Sequence, residues 1–90
     1  MIDEKELARE LTAILSELIA IPSTYPPGDT TEICAYIAAR YRAAGYQCQT
    51  VSRTEGIASV VARSGSGAPQ LALNCHIDTV DVGAVSDWHS

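Results

Sequence analysis

The feature that most constrains the fold is a short apolar run late in the chain, residues 71–75 (Leu-Ala-Leu-Asn-Cys). Its length is typical of a β-strand rather than a helix. A strand that is apolar at successive positions, instead of at alternate ones, is typical of a central strand covered on both faces. We therefore expect residues 71–75 to lie inside a layered sheet. Too few covering elements would leave apolar surface and unpaired backbone exposed.

The first helix is predicted near the start of the chain. Apolar residues recur at three- and four-residue steps from Glu4 to Ala20, which predicts an amphipathic helix with one buried face. Asp3 can cap it, because a carboxylate accepts hydrogen bonds from the free amides of a first turn. Pro22 ends it, because the residue before a proline is pushed out of the helical conformation.

A second helix and two strands are expected in the middle of the chain. The helix begins among residues 29–31, which can cap it, and continues to Ala44, with Gly45 as a left-handed stop. Residues 46–51 then alternate with a period of two, which predicts a strand with one wet face. Residues 57–62 are a second strand candidate.

The predicted order is helix, helix, strand, strand, strand, with a flexible turn at residues 64–69 before the last strand. This order indicates an α/β domain, or an α+β one, in layers. Ninety residues make at most one domain and bury only roughly 60–65% of the surface of the unfolded chain. Beyond Val80 no closing strand or helix is apparent, so we expect residues 1–90 to be a truncated portion of one larger domain.

Composition excludes several classes of function. The net charge is −5 and the six basic residues are scattered singly, which argues against nucleic acid and anionic membrane partners. No apolar run approaches the ~20 residues that span a bilayer. The acidic start, residues 2–6, is unlike a secretory signal. The odd set Cys34, Cys48 and Cys75 predicts reduced, mostly buried thiols, and together these features predict a cytoplasmic protein.

His76 and Asp78 are the residues that could carry chemistry. They follow the predicted central strand two positions apart, so both side chains project to the same side. A metal-bound imidazole usually donates its other N–H to a carboxylate or carbonyl, and Asp78 could be that carboxylate. The spacing alone also fits an ordinary surface pair at a strand end. Cys75 is expected to face the other way, as a buried structural thiol.

The wider sequence around this pair matches a known pattern. Residues 71–80 (Leu-Ala-Leu-Asn-Cys-His-Ile-Asp-Thr-Val), followed by Val82-Gly83 and then Trp88, form one segment. This segment resembles the first signature of the zinc-dependent peptidase and amidohydrolase family that includes acetylornithine deacetylase, succinyl-diaminopimelate desuccinylase and metallo-aminoacylase. Asp81 departs from the pattern, because proline is common there, and Asn74 stands where relatives often have a small residue.

The beginning of the chain resembles the same family independently. Residues 18–23 (Leu-Ile-Ala-Ile-Pro-Ser), then 26–28 (Pro-Pro-Gly), then 42–46 (Arg-Ala-Ala-Gly-Tyr) look like its opening. The two matches occur in the family's order and at its separation. The resemblance therefore covers nearly the whole chain, from about Leu11 to Trp88.

The resemblance implies a fold, an activity and a cofactor. It implies the N-terminal part of a three-layer zinc-peptidase catalytic domain, without the family's dimerisation or lid domain. His76 would be a ligand to one of two zinc (or cobalt) ions, and Asp78 would be the catalytic-site carboxylate that holds its imidazole. The remaining ligands and the general base would lie downstream. The substrate implied is a small N-acyl amino acid or dipeptide, and the full-length protein of such a family can be a homodimer.

Two alternatives remain open from the sequence. The chain could be a small noncatalytic α/β domain that associates through its helices and carries His76 by accident. It could also be a truncated family relic, or a natural product that pairs with the remaining chain. Metal binding that depends on His76 separates the hydrolase from the noncatalytic domain.

The 90-residue chain alone is predicted to be inactive. A catalytic zinc site needs about three protein ligands and an open position, and this sequence offers one probable ligand. With added zinc or cobalt, its hydrolysis of N-acetylornithine or N-succinyl-diaminopimelate should equal that of a His76→Ala control. Cleavage above that control would show the expectation to be wrong.

Overall fold

The computed structural model describes residues 2–89 and contains the two expected helices together with strands, which confirms the α/β class. The order differs from the expected one, because a short strand lies between the helices and the last strand begins only at Thr79. The described strands form two separate two-stranded sheets, one parallel and one antiparallel. The elements in chain order are α1 (Glu4–Ala20), β1 (Thr24–Tyr25), α2 (Thr31–Ala43), β2 (Gln47–Thr54), β3 (Ile57–Arg63), β4 (Thr79–Val80) and a 3-10 turn (Val85–Asp87).

Helix α1 begins and ends where its local signals predict. The Asp3 carboxylate accepts a hydrogen bond from the Lys5 amide at 3.0 Å. The helix stops at Ile21, whose backbone is extended ahead of Pro22. Both caps depend on neighbouring residues alone, which is why the sequence predicted them.

The predicted buried face of α1 is wrong. No residue of this helix, all of which the structure describes, is fully buried. The apolar side chains at four-residue steps, Leu11, Leu15 and Ile19, are all exposed. The helix is attached to α2 by polar contacts at Glu17, and no described element covers its apolar stripe. An amphipathic pattern predicts a face that a partner could cover, and no element within residues 2–89 buries that face.

The contact between the two helices is made by three side chains. Tyr36 donates a hydrogen bond to the Glu17 carboxylate, and Arg40 lies 3.6 Å from the same carboxylate. The hydrogen bond to Glu17 raises the pKa of Tyr36, because it stabilises the protonated phenol. Glu17 and Arg40 are exposed and Tyr36 is half-buried, so this contact orients α1 more than it stabilises the fold.

The small core lies between α2 and the β2–β3 hairpin. The hairpin is antiparallel, with Gln47 opposite Arg63 and Ser52 opposite Ala58. Gly45 ends the helix region with a φ of +93°, which favours glycine and turns the chain into β2. The buried apolar side chains described are Ile33, Cys34, Ala38 and Ala58. So small a core is consistent with a thin stability margin.

Thr30 joins α2 to the hairpin and is itself buried. Its hydroxyl donates to the Ala58 carbonyl and accepts from the Ala58 amide, both at 2.8 Å. Asp29 takes over the capping role, since its carboxylate accepts from the Thr31 amide at 2.9 Å. That hydrogen bond holds the pKa of Asp29 below its usual value.

The predicted central strand at residues 71–75 is also wrong. These residues have no strand structure, and Leu71 and Leu73 are 79% and 89% exposed. A strand exists only where a neighbouring strand pairs with its amides and carbonyls. Among the described residues, strand pairing in this part of the chain begins only at β4. The apolar run has the composition of a central strand without the neighbours that would make it one.

The surface of the chain is large for its mass. It exposes 7917 Å², whereas a folded monomer of 9.6 kDa exposes about 5,100 Å². Its radius of gyration is 15.7 Å, against about 12 Å for a compact domain of this length. The excess is consistent with the exposed apolar residues of α1 and of residues 71–75. Within residues 2–89, no helix has the length and apolar character needed to cross a membrane.

Replacing Thr30 with valine should destabilise the fold by about 1–3 kcal/mol. The substitution keeps the volume but removes both hydrogen bonds to Ala58, and a buried amide and carbonyl without partners carry that cost. Urea unfolding followed by circular dichroism measures the change. Thr50→Val, at an exposed position of β2, is the matched control. Equal stability of the two variants would contradict the role of Thr30.

Candidate metal-binding site

The candidate site is held by a short parallel strand pair between the segment after α1 and a segment late in the chain. Strand β1 pairs with β4, with Thr24 opposite Thr79 and Tyr25 opposite Val80. The backbone carbonyl of Ser23, just before β1, accepts a hydrogen bond from the Thr79 amide at 3.1 Å. This strand pair fixes the residues that precede β4 beside the end of α1.

The structure brings the two sequence-predicted residues together at this point. The imidazole Nδ1 of His76 lies 3.1 Å from the backbone carbonyl oxygen of Asp78 and 3.3 Å from its carboxylate Oδ1. The His76 side chain is 87% exposed and that of Asp78 is 55% exposed. The pair therefore faces solvent. It lies immediately ahead of β4, in a segment without strand structure.

This geometry assigns different roles to the two nitrogens of His76. Both nearby oxygens of Asp78 are acceptors, so a neutral imidazole satisfies them with its proton on Nδ1. The lone pair then lies on Nε2, which has no partner among the described atoms of the chain. An imidazole whose Nδ1–H donates to a carbonyl or carboxylate is the usual form of a metal-ligating histidine. The pair thus fits one metal ligand with its supporting carboxylate.

A cavity of about 240 Å³ lies beside the pair. Its walls are the end of α1, the turn that follows it, Ile33 of α2 and the backbone around His76 and Asp78. Most of the lining side chains are apolar: Leu15, Leu18, Ile19, Ile21, Pro22, Ile33 and Ile77. The cavity places an apolar wall on one side of the pair.

The described residues do not complete a metal site. Across residues 2–89, no three His, Cys, Asp or Glu side chains come close enough together to hold an ion. A catalytic zinc ion takes about three protein ligands. The described part of the chain therefore offers one candidate ligand, His76, and the carboxylate beside it, which is fewer than a catalytic zinc site needs.

The predicted burial of Cys75 is wrong. Its thiol is exposed, because the segment that carries it is not covered by a sheet. Cys34 is the buried thiol, and Cys48 is intermediate. Burial raises the pKa of Cys34, since the thiolate would lose its hydration there.

The loop after β4 is ordered by its own side chains. The Asp81 carboxylate accepts a hydrogen bond from the Gly83 amide at 3.2 Å, and Gly83 has a φ of +74°. The indole of Trp88 donates to the Val82 carbonyl at 2.9 Å. Asp81 thus forms a local turn at the position where proline is common in the resembling family.

Ser23 contacts the site and was not singled out from the sequence. It is 3% exposed, and its hydroxyl donates to the Ile77 carbonyl at 2.8 Å. In the sequence, Ser23 stood out only as the last residue of the segment 18–23, which resembles the opening of the family. That resemblance assigned no role to it. The partner lies 54 positions away along the chain, so local patterns could not have identified it.

Comparison with known proteins finds named enzymes that are similar to the chain. It is 35% identical over 77 residues to a succinyl-diaminopimelate desuccinylase of Bordetella pertussis, covering 86% of this chain and 20% of that protein. A desuccinylase of Stenotrophomonas maltophilia is 40% identical over 74 residues, with coverages of 82% and 19%. The corresponding enzyme of Xanthomonas campestris is 36% identical over 84 residues, with coverages of 93% and 22%.

Over most of its own length, the chain is similar to members of the peptidase and amidohydrolase family that includes succinyl-diaminopimelate desuccinylase. Its resemblance to that family, inferred from two separate motifs, is confirmed, and the relationship is to hydrolases. The chain spans about a fifth of the length of the curated relatives it matches. No family model matches it. No solved structure matches it either.

The three cysteines should differ in their reactivity toward iodoacetamide. Cys75 is exposed and should react first, whereas the buried Cys34 should react at least about tenfold more slowly, because it must wait for local opening. The raised pKa of Cys34 adds to its protection, since the thiolate is the nucleophile. Mass spectrometry of timed samples at pH 8 measures this order.

A Cys75→Ser variant is the control for the assignment. It should lose the fast phase and keep the slow one. Alkylation of Cys34 as fast as that of Cys75 would contradict the burial that the structure describes.

Proposed function

We propose that this chain forms part of a two-metal amide hydrolase that removes the acyl group from a small N-acyl amino acid. The family relationship supports this class of reaction. The single structural observation that supports it is the contact of the His76 Nδ1 with Asp78, which leaves Nε2 free to bind a metal ion. The metals proposed are zinc or cobalt, two per complete site.

In this proposal His76 holds one metal ion through Nε2, and Asp78 fixes the ring and its tautomer. A bound metal pair would supply a water of lowered pKa and a positive charge for the oxyanion of amide cleavage. Asp78 contributes by orientation, because its carbonyl and carboxylate oxygens both lie near the same ring nitrogen. The other ligands and the general base are proposed to lie outside these 90 residues.

The proposed substrate is N-succinyl-diaminopimelate or a close N-acyl amino acid. The named relatives are desuccinylases, and this supports a succinyl group over an acetyl group. The described residues near the pair offer an apolar wall, and no Lys or Arg lines the cavity there. The cations that would bind the carboxylates of such a substrate are therefore proposed to come from the remainder of the protein.

A noncatalytic association domain is the second candidate. The exposed apolar side chains of α1 and of residues 71–75 favour it, because surfaces of this kind usually mark an interaction site. This candidate requires nothing of His76. Metal binding that depends on His76 therefore separates the two functions.

The full-length gene product should bind zinc in stoichiometric amounts and hydrolyse N-succinyl-diaminopimelate. His76→Ala should lose at least one zinc per chain and reduce kcat/KM by about a thousandfold or more, as the loss of a metal-dependent site does. Asp78→Asn should keep the fold and weaken zinc binding by roughly 10- to 100-fold, the usual effect of removing a supporting carboxylate. Metal analysis after dialysis and steady-state kinetics measure both effects.

His89→Ala is the matched control, because it removes the chain's other histidine and should change neither quantity. Zinc content and activity that are the same in His76→Ala and in the unmodified protein would exclude the proposed role. Indifference to metal in every variant would favour the association domain.

A further inference from the structure

Ser23 makes two hydrogen bonds to the segment that carries the candidate site. It follows the end of α1 directly, and it is one of the few buried polar residues described. Its hydroxyl donates to the Ile77 carbonyl at 2.8 Å. Its own carbonyl accepts from the Thr79 amide at 3.1 Å. One residue thus contacts the segment through its side chain and its backbone together.

These two bonds fall on either side of Asp78. Ile77 precedes it and Thr79 follows it, so the peptide groups on both sides of Asp78 are fixed in direction. The carbonyl of Asp78 faces the His76 ring at 3.1 Å, and its carboxylate lies 3.3 Å from the same nitrogen. The orientation of both oxygens therefore depends on the backbone that Ser23 holds.

Little else described holds this segment in place. Residues 64–78 contain no helix or strand, and β4 pairs with β1 over two residues only. The apolar residues that precede the pair are exposed and pack against nothing that would orient them. Among the described residues, Ser23 is the one distant in sequence whose side chain donates a hydrogen bond to this segment.

We propose that Ser23 is a positioning residue that sets the His76–Asp78 contact and so presents Nε2 of His76 for binding. The metal-ligating role of His76 rests on the proposed function, whereas the positioning itself concerns only this chain. The hydroxyl is the essential group, because alanine keeps the backbone bond to Thr79 and removes the bond to Ile77. Threonine retains a hydroxyl and serves as the conservative replacement.

If Ser23 had a purely structural role, its replacement would lower the stability of the core and would not act specifically at the site. Ser23 lies outside the core of α2, β2 and β3, so its loss should leave the melting of that core unchanged. The positioning role predicts a local change at Thr79 and at His76. The measurement therefore needs one signal from each of these places and a separate signal from the core.

Nuclear magnetic resonance of the 90-residue chain supplies these signals. Amide exchange reports the protection of the Thr79 amide, and the imidazole ¹⁵N shifts at a pH where the ring is neutral report which nitrogen of His76 carries the proton. In the unmodified chain the Thr79 amide should be protected and the His76 proton should lie on Nδ1. In Ser23→Ala the Thr79 protection should fall by roughly three- to tenfold, as the loss of one hydrogen bond allows. The proton should also move toward Nε2.

Two variants complete the design. Ser23→Thr should restore both signals at least in part. Ser52→Ala is the matched control, because the Ser52 hydroxyl also donates to backbone carbonyls, those of Thr54 and Ile57 in the hairpin. It should leave Thr79 and His76 unchanged. Amide exchange in β2 and β3 reports whether each variant keeps its core.

An unchanged His76 tautomer in Ser23→Ala, with the core intact, would overturn the positioning role. So would equal effects of Ser23→Ala and Ser52→Ala at Thr79. Zinc binding by the full-length gene product tests the proposed function separately. If Thr79 and His76 respond as expected while that protein binds no zinc, the positioning role stands and the metal-ligating role fails.

Discussion

A parallel bridge of two residue pairs holds the candidate site of this chain. Strand β1 follows α1 after a short turn, and β4 follows the His76–Asp78 pair directly, so their pairing brings sequence-distant segments together. Without it, residues 64–78 would have no regular structure to fix them. The hydroxyl and carbonyl of Ser23 extend the bridge by one residue, up to Asp78 itself. The position of the pair therefore depends on a few hydrogen bonds near the end of α1.

The remaining folded part of the chain is built on a different principle. Helix α2 packs on the β2–β3 hairpin, and Thr30 ties the two together through paired hydrogen bonds to Ala58. This unit buries its own small core. By contrast, α1 and residues 71–75 present apolar side chains to solvent, and the total exposed surface exceeds that of a compact monomer. No element within residues 2–89 covers these apolar side chains.

The parts of the fold that were predictable from the sequence are those that depend on local interactions. The bounds of α1 follow from the Asp3 cap and Pro22, and the end of α2 follows from the left-handed Gly45. The proximity of His76 and Asp78 was predictable for a related reason, since only Ile77 lies between them in the sequence. Each of these signals acts within a few residues.

The failures concern interactions between distant segments. The run at residues 71–75 has a strand's composition, but pairing depends on neighbours that its own sequence does not specify. The apolar stripe of α1 likewise indicated burial without supplying a partner. The burial of Cys75 was inferred from that same strand and failed with it. Ser23 was missed because its hydrogen bond spans 54 positions.

The central claim is that His76 binds a metal ion through Nε2 while Asp78 holds Nδ1. The most direct test is a crystal structure of the full-length gene product with zinc, with anomalous diffraction recorded at the zinc absorption edge. We expect a zinc peak about 2.0–2.1 Å from Nε2 of His76, the usual zinc–imidazole distance, with Nδ1 turned to Asp78. Zinc bound only at residues other than His76, or bound to His76 through Nδ1, would contradict this role.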